Sequence, residues 1–231
     1  MDEDQDEDQV VVHDAEQDTL LHSQGHTRVA DTRRRDLMAA TQALIAERGL
    51  EGLRTRDVAA RASVNIATLH YYFATKEALI AGVVTHISEQ FRTVHAPHRH
   101  TGEGTPLQLL RQEFADTRFY QIEQPELWLA INELAIRALR DPAIASILRR
   151  LEQHWYVSLD TVIAGGIAAG VFRADLDSDT VTDILLGFFR GNRLPITDPF
   201  AYDRACAALE RWIVAPEHLA DAASVAAHDK E

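Results

Sequence analysis

Residues 54–73 read RTRDVAARASVNIATLHYYF and are followed directly by ATKEAL at 74–79. This stretch predicts two short helices joined by a tight turn, with a third helix beginning immediately behind them. Thr55 is expected to cap the first helix, because a threonine oxygen accepts hydrogen bonds from the free amides of a helix start. Three apolar residues then fall on one face of that helix, namely Val58, Ala59 and Ala62.

The second helix of this pair has the character of a DNA-reading element. Ser63 to Asn65 form the turn, Asn65 is the next cap, and Leu69 and Phe73 point inward at i, i+4 spacing. Small, polar and aromatic side chains without charge pairing suit a helix that enters the major groove. They are Ile66, Ala67, Thr68, His70 and Tyr71. A generic helical hairpin in a small bundle is the alternative, since a motif match is a hypothesis.

The chain resembles the TetR-type transcriptional regulators over residues 32–87. The similarity covers the opening helix RRRDLMAATQALIAERGLEGLR, the step from Thr55 to Ala59, the turn and helix from Val64 to Leu69, the aromatic run ending at Phe73, and TKEAL at 75–79. Elsewhere it is limited to helical character, length and the weaker motif GIAAGVFRADLD at 166–177. The resemblance implies a helix-turn-helix DNA-binding domain joined to a helical domain that binds an effector and forms the dimer.

Residue chemistry and the resemblance together suggest roles at the DNA surface. The start of the first helix is suited to positioning a phosphate, and the apolar residues of the second helix are suited to thymine methyl groups. The residues expected to contact DNA are Thr55, Arg56, Asn65, Ile66, Ala67, Thr68, His70, Tyr71 and Lys76. The chain has Ala67, His70 and Tyr72 where many relatives have Gly, Tyr and His. A tyrosine-phosphate contact therefore does not carry over to His70, and a solvent-facing histidine is the alternative there.

The charge is distributed unevenly along the chain. The 231 residues are 46% hydrophobic and carry a net charge of −13. Residues 1–27 contain nine acids and no Lys or Arg, whereas residues 28–86 carry nine basic and six acidic side chains, a surplus of +3. The acidic tail is expected to be disordered. Only the proposed DNA module is positive, so local phosphate contacts with strong salt dependence are expected.

Nearly all of the chain after the tail is predicted to be helical. Residues 33–48 have apolar side chains at helical spacing, and Gly49 ends that helix as a left-handed cap. Thr75 is expected to cap the next helix, which ends near Pro97 and is followed by a loop at 95–106. Further helices are predicted over Pro106–Ile122, Pro125–Leu139, Ala143–Ala169, Ser178–Arg190 and Pro199–Val214.

The larger helical region is expected to hold the effector site and the dimer interface, as the resemblance implies. A mostly apolar cavity with a few polar groups is what a small-molecule site requires. The candidate ligand contacts are Phe119, Tyr120, Trp128, Asn132, His154 and Trp155. An ordinary helical core is the alternative for these aromatic residues. The last two long helices are expected to pair across the dimer through Leu185, Phe188, Phe189, Ala207, Leu209 and Trp212, and Gly165, Gly166 and Gly170 to allow close helix approach.

Other chemistries are not favoured. Asp175, Asp177 and Asp179 resemble the start of a calcium loop, but the required Gly and Glu positions do not follow, so helix capping is expected instead. His95, His98 and His100 form a histidine-rich tract that could bind a transition metal, but the flexibility of the loop and the absence of a carboxylate or thiol partner disfavour a metal site. The single cysteine, Cys206, lies in an apolar helical run and is expected to be a buried hydrophobe. No enzyme activity, metal site or cofactor is expected.

These observations predict an all-α protein with an N-terminal three-helix DNA-binding domain and a C-terminal helical bundle. The expected divisions are an acidic tail at 1–30, the DNA-binding domain at 31–91, the effector and dimerisation domain at 92–215, and a tail at 216–231. The expected function is a cytoplasmic, homodimeric regulator that binds a palindromic double-stranded operator and releases it on binding an unknown small molecule. The alternative is a helical ligand-binding or scaffold protein. No membrane span is expected, because the apolar runs are short.

Overall fold

A computed structural model describes residues 30–97, 104–192 and 200–219. Within these residues the chain is helical throughout apart from turns, loops and one isolated antiparallel bridge between Phe172 and Val214. This confirms the predicted all-α class. The helices longer than one turn are α1 (30–48), α2 (Thr55–Arg61), α3 (Ile66–Tyr72), α4 (Lys76–Thr93), α5 (Pro106–Glu123), α6 (Pro125–Ala138), α7 (Pro142–Ala168), α8 (Ser178–Gly191) and α9 (Ala201–Ile213), and residues 216–219 of the predicted tail form a single helical turn.

The chain divides into two compact units, Met1–His86 and Ile87–Glu231, and the division lies within α4. The acidic tail, the middle of the histidine-rich loop and the last residues of the chain lie outside the described residues. None of the described helices is both long enough and apolar enough to cross a membrane.

The smaller unit is organised around the inward face of α1. Leu37, Leu44 and Ile45 are buried on this face, as their spacing predicted. The helix ends where Gly49 adopts φ 68°, and the Gly49 amide donates to the carbonyl of Ile45. Because an L side chain is strained at this φ, glycine suits this end of α1.

The helices of the larger unit begin where short local signals place them. Thr105 and Gln108 form a reciprocal capping box at the start of α5, and Pro106 is its first residue. Asp141 accepts from two amides at the start of α7, and Asp177 accepts from the Thr180 amide at the start of α8. These caps satisfy amides that have no partner within the helix, so the predicted starts of α5, α7 and α8 are off by at most one residue. α6 begins at Pro125 as predicted, without a side-chain cap.

The two last long helices contribute more to the protomer core than the sequence suggested. Leu185 and Phe189 were predicted to face a dimer partner, and that prediction is wrong because both are fully buried within the protomer. They share one face of α8 with Val181, and this face packs against the core formed by α5, α7 and α9. Ile184 and Gly187, on the other side of α8, are exposed.

The connection between α7 and α8 folds back onto α7 through Gly166. The amides of Val171 and Phe172 both donate to the Gly166 carbonyl, and Gly170 adopts φ 72°. The Phe172 ring then lies where a side chain on Gly166 would stand. Gly166 therefore makes room for a ring of the following loop. At Gly165, by contrast, no described residue beyond the adjoining backbone of α7 lies within 4 Å of the place that a side chain would occupy.

Candidate DNA-binding face and effector region

The helix-turn-helix geometry follows from a few local interactions. Ser63 adopts φ 53°, and the Val64 amide donates to the Ala59 carbonyl, which reverses the chain between α2 and α3. Asn65 caps α3, as predicted, because its side chain accepts from the Thr68 amide at 2.8 Å. Leu69 is buried and fixes the inward face of α3.

The outward face of α3 presents the predicted mixture of side chains to solvent. Tyr71 is 85% exposed and Ile66 is 39% exposed. Ala67 and His70 are also exposed, whereas Thr68 is half-buried and its hydroxyl donates to Asn65 at 3.0 Å. Asn65 and Thr68 are therefore joined to each other by the cap. The side chains of α3 that project into solvent are those of Ile66, Ala67, His70 and Tyr71.

The start of α2 differs from the prediction. Arg54 is the N-cap, with extended backbone angles and no side-chain hydrogen bond, and Thr55 is already the first helical residue. The predicted Thr55 cap is therefore wrong, because the chain leaves the extended conformation one residue earlier than the sequence suggested. Arg56 is exposed, and among the described residues it forms no ion pair.

Two long-range ion pairs join α1 to α2. Arg48 contacts Asp57 at 2.8 Å, and Arg61 contacts Glu47 at 2.6 Å. Exposed pairs of this kind contribute little stability, typically below about 1 kcal/mol, but they engage two of the basic side chains of this unit. Sequence reasoning missed both pairs, since their partners are nine and fourteen positions apart and no local pattern marks them.

Lys76, at the first position of α4, is directed by a backbone contact. Its ammonium group lies 3.4 Å from the Leu50 carbonyl, just beyond the end of α1. Thr75 caps α4 as predicted, since its hydroxyl accepts from the Ala78 amide at 3.0 Å. The lysine is exposed, so its charge is available at the surface while its position is restrained.

The predicted effector residues fall into separate environments. Phe119 and Tyr120 make an edge contact on α5, and the Tyr120 hydroxyl donates to the Val94 carbonyl at 2.8 Å, which fastens the end of α4 to α5. The remaining candidates lie on the neighbouring helices α6 and α7. Of these, Trp128 and Asn132 are half-buried, Trp155 packs against the core, and His154 is exposed.

A polar cluster on α5 was not anticipated. Asp116 is buried and accepts from the Ala96 amide and from Gln112, each at 2.8 Å, and it pairs with His95 Nδ1 at 2.9 Å. Glu113, one turn earlier, accepts from the Trp155 indole N–H at 2.6 Å. The sequence pattern that could have indicated this cluster is the pair of carboxylates, Glu113 and Asp116, at i, i+3 spacing in a helix that also carries buried apolar residues.

The environment of Glu113 disfavours its charged form. Burial raises the pKa of the Glu113 carboxyl above its usual range, and the nearby charge of Asp116 raises it further. The hydrogen bond from Trp155 and the proximity of His95 act in the opposite direction. The net rise in pKa means that the free-energy cost of removing this carboxylate from water is not fully offset by its contacts within the protomer.

Replacing Glu113 by glutamine is expected to stabilise the protein at neutral pH and to have less effect in acid. A carboxyl whose folded pKa is raised contributes stability that is complete below its unfolded pKa and is lost as pH rises through the folded pKa. Glutamine retains an acceptor for Trp155 without a charge to desolvate. Urea unfolding at several pH values measures the difference, and Glu123→Gln, at the exposed end of α5, is the control. A variant less stable than the parent at neutral pH contradicts this account.

Among the described residues, the acidic candidates for a metal site take part in helix capping and ion pairing, and Cys206 is partly buried against the core rather than buried as predicted. Asp177 is a helix cap, Asp175 pairs with Arg173, and no cluster of three or more His, Cys, Asp or Glu within the described residues is placed to hold a metal ion. His98 and His100 lie outside the described residues. Burial raises the pKa of Cys206 to about 11, so its thiol is protonated at neutral pH.

Known proteins with similar sequences and folds are transcriptional regulators. A family model described as bacterial regulatory proteins of the tetR family matches residues 37–83. The repressor KstR2 of Mycobacterium tuberculosis is 30% identical over 156 residues, covering 65% of this chain and 74% of the relative. The repressor NicS of Pseudomonas putida is 28% identical over 182 residues, covering 76% and 84%. The crystal structure of a TetR transcription regulator from Haloarcula marismortui matches with a TM-score of 0.67 and 26% identity, covering 79% and 96%.

Proposed function

This chain belongs to the TetR family of DNA-binding transcriptional regulators, and we propose that it is a repressor that binds a palindromic operator as a homodimer and is released by a small molecule. Two copies of α3 would each enter the major groove of one half-site, about one helical turn apart. The effector would bind in the larger unit and favour a dimer geometry that no longer spans both half-sites.

The observation that carries this proposal is the outward face of α3. Tyr71 and Ile66 are exposed although both have large apolar surfaces, and the helix beneath them is anchored by buried Leu69 and Phe73. A protein gains no stability from such exposed side chains, whereas a major groove offers thymine methyls and phosphates as partners. The surplus of basic side chains in residues 28–86 also supports DNA binding by this unit.

The proposed dimer face lies on the exposed sides of α8 and α9. Ile184 is 43% exposed, and Gly187 follows it near the middle of α8. Apart from the adjoining backbone of α8, no described residue lies within 4 Å of the place that a Gly187 side chain would occupy. A mid-helix glycine nevertheless costs roughly 0.5 to 1 kcal/mol relative to alanine. Close packing of a second copy would account for a small residue here. Exposed Ala207 and Ala208 give α9 a similar small-residue surface.

Substituting Ile184 by arginine is expected to convert the dimer to a monomer. In a two-fold interface the change places two unpaired charges in a buried surface, and leaving a charge buried and uncompensated costs roughly 3 to 5 kcal/mol. Light scattering during gel filtration measures the mass. Leu129→Arg is the matched control, because Leu129 is a comparably exposed hydrophobic residue on α6. A dimer that survives Ile184→Arg but not Leu129→Arg places the interface elsewhere.

Selection from a genomic fragment library tests the proposed function. The purified full-length protein is incubated with the fragments at low and moderate salt, and the retained DNA is sequenced. A retained palindromic motif supports the regulator, and its weakening by an effector by roughly 5-fold to 150-fold would match typical coupling between two sites. Retention that ignores sequence and disappears with salt would instead favour a helical ligand-binding or scaffold protein.

A further inference from the structure

Three consecutive arginines near the start of α1 have no acidic partner within the described part of the chain. Arg34 and Arg35 are exposed and Arg33 is half-buried, and none of them forms an ion pair with a described residue. The nearest acids along the helix, Asp31 and Asp36, do not pair with them either. The arginines that join α1 to α2, by contrast, are both paired with acids. These three arginines, here called the arginine cluster, are therefore open to an anion.

Arg34 is held beside the end of α3. Its guanidinium carbon lies 5.0 Å from the centre of the Phe73 ring, in the geometry of a cation–π contact. Phe73 is buried and ends α3, two positions beyond the exposed Tyr71. The arginine cluster therefore adjoins the helix that we propose enters the major groove, and an anion bound to the cluster lies next to that helix.

The acids that precede α1 outweigh the basic surplus of the smaller unit. Residues 1–27 contain nine Asp and Glu, six of them within the first eight residues, and no Lys or Arg. Residues 28–86 have a surplus of three positive charges, so residues 1–86 together have a net charge of −6. Because like charges repel DNA and opposite charges attract it, the location of these acids affects how the unit approaches a duplex.

We propose that residues 1–27, here called the acidic segment, bind the arginine cluster of their own chain and compete with DNA phosphates for it. Carboxylates and phosphates are alternative partners of a guanidinium group. Asp18 is 15 positions before Arg33, and a short connection of this kind gives an effective concentration on the order of millimolar. The inference rests on the proposed function, since it names an internal competitor of DNA.

Competition by the acidic segment is expected to make DNA binding both weaker and less dependent on salt. An arginine that leaves a carboxylate for a phosphate exchanges one ionic contact for another, so fewer ions are released when DNA binds. Exposed ion pairs are individually weak, so three of them should lower DNA affinity by about tenfold at low salt. The reduction should become small at high salt, where such pairs are screened.

Fluorescence anisotropy with the full-length protein and a labelled duplex of arbitrary sequence tests the competition. In the neutralised variant, every Asp and Glu of residues 1–27 is replaced by Asn or Gln. This variant should bind the duplex about tenfold more tightly than the parent at low salt, with a steeper slope of log affinity against log salt.

Combining the neutralised variant with arginine substitutions tests where the acidic segment binds. The gain in affinity should largely disappear in Arg33→Gln/Arg34→Gln/Arg35→Gln, because the segment and DNA then no longer share these arginines. Arg48→Gln is the matched control and should keep the full gain, since Arg48 is already paired with an acid of α2. Arg33→Gln/Arg35→Gln repeats the test with the Phe73 contact intact, should the triple variant fold poorly.

The outcomes separate this inference from the proposed function. Equal affinity of the parent and the neutralised variant overturns the proposal. An equal gain with and without the arginine cluster also overturns it, because the acids would then act by repulsion at a distance.

Nitrogen-15 NMR of the arginine side chains provides a readout that needs no DNA. The Nε–H signals of Arg33 and Arg35 should differ between the parent and the neutralised variant at low salt, and unchanged signals contradict binding of the segment. Changed signals in a protein that binds no duplex in any form would support the internal contact and overturn the proposed DNA-binding function.

Discussion

Gly166→Ala is expected to destabilise the larger unit by about 1 to 3 kcal/mol, the usual cost of overpacking a filled core. A side-chain carbon on residue 166 would stand 2.1 Å from Cδ2 and 2.2 Å from Cε2 of Phe172. The Phe172 ring is fully buried, and the amides of Val171 and Phe172 are both bonded to the Gly166 carbonyl. The ring therefore cannot withdraw without breaking these bonds or opening the core around it.

Gly165→Ala is the matched control for this substitution. Gly165 lies one position earlier in α7, and in the described part of the chain only the adjoining helix backbone lies within 4 Å of where its side chain would stand. Alanine is favoured over glycine inside a helix by up to about 1 kcal/mol, so Gly165→Ala should be neutral or stabilising. Chemical unfolding at one fixed protein concentration measures both variants, because the proposed dimerisation would make stability depend on concentration. Equal effects at the two positions would show that the Phe172 contact is not the cause.

The starts of α5, α7 and α8 were predicted well because each depends on residues within one turn. Thr105, Asp141 and Asp177 each supply a side-chain acceptor next to the free amides of a helix start, and Pro106 and Pro142 occupy the first helical position after the first two of these caps. The turn between α2 and α3 was predicted for the same reason, since Asn65 caps the helix it precedes. Thr55 shows the limit of this reasoning, because a residue able to cap does not do so when its neighbour holds that position.

Contacts between distant residues could not be predicted from one sequence. Asp116 and His95 are separated by 21 positions, and nothing local to either residue indicates the other. The spacing of Leu185 and Phe189 on α8 also fits two environments equally well, the core of one protomer or an interface between two. Packing against Phe114 and its neighbours decides for the core, and this assignment moves the proposed interface to the opposite side of the helix.

Tyr71→Phe is expected to weaken operator binding by at least roughly a hundredfold, if both copies of the hydroxyl donate to phosphates as the chemistry of the α3 face suggests. A hydrogen bond to a charged group contributes about 1.5 to 3 kcal/mol, and a homodimer loses one in each half-site. Folding should not change, because the side chain is 85% exposed and the ring that contacts Tyr72 is retained. Fluorescence anisotropy with the selected operator measures the affinity.

Salt dependence separates a tyrosine contact from a charged one. Tyr71→Phe removes no charge, so the slope of log affinity against log salt should stay as in the parent. Lys76→Ala removes a cation restrained near the Leu50 carbonyl and should lower the slope by about one unit for each phosphate it neutralises. A Tyr71→Phe variant that binds the operator with parental affinity would show that the Tyr71 hydroxyl does not contact a phosphate. An unchanged salt slope for Lys76→Ala would show that Lys76 does not contact a phosphate. The roles of the two residues can therefore be tested independently.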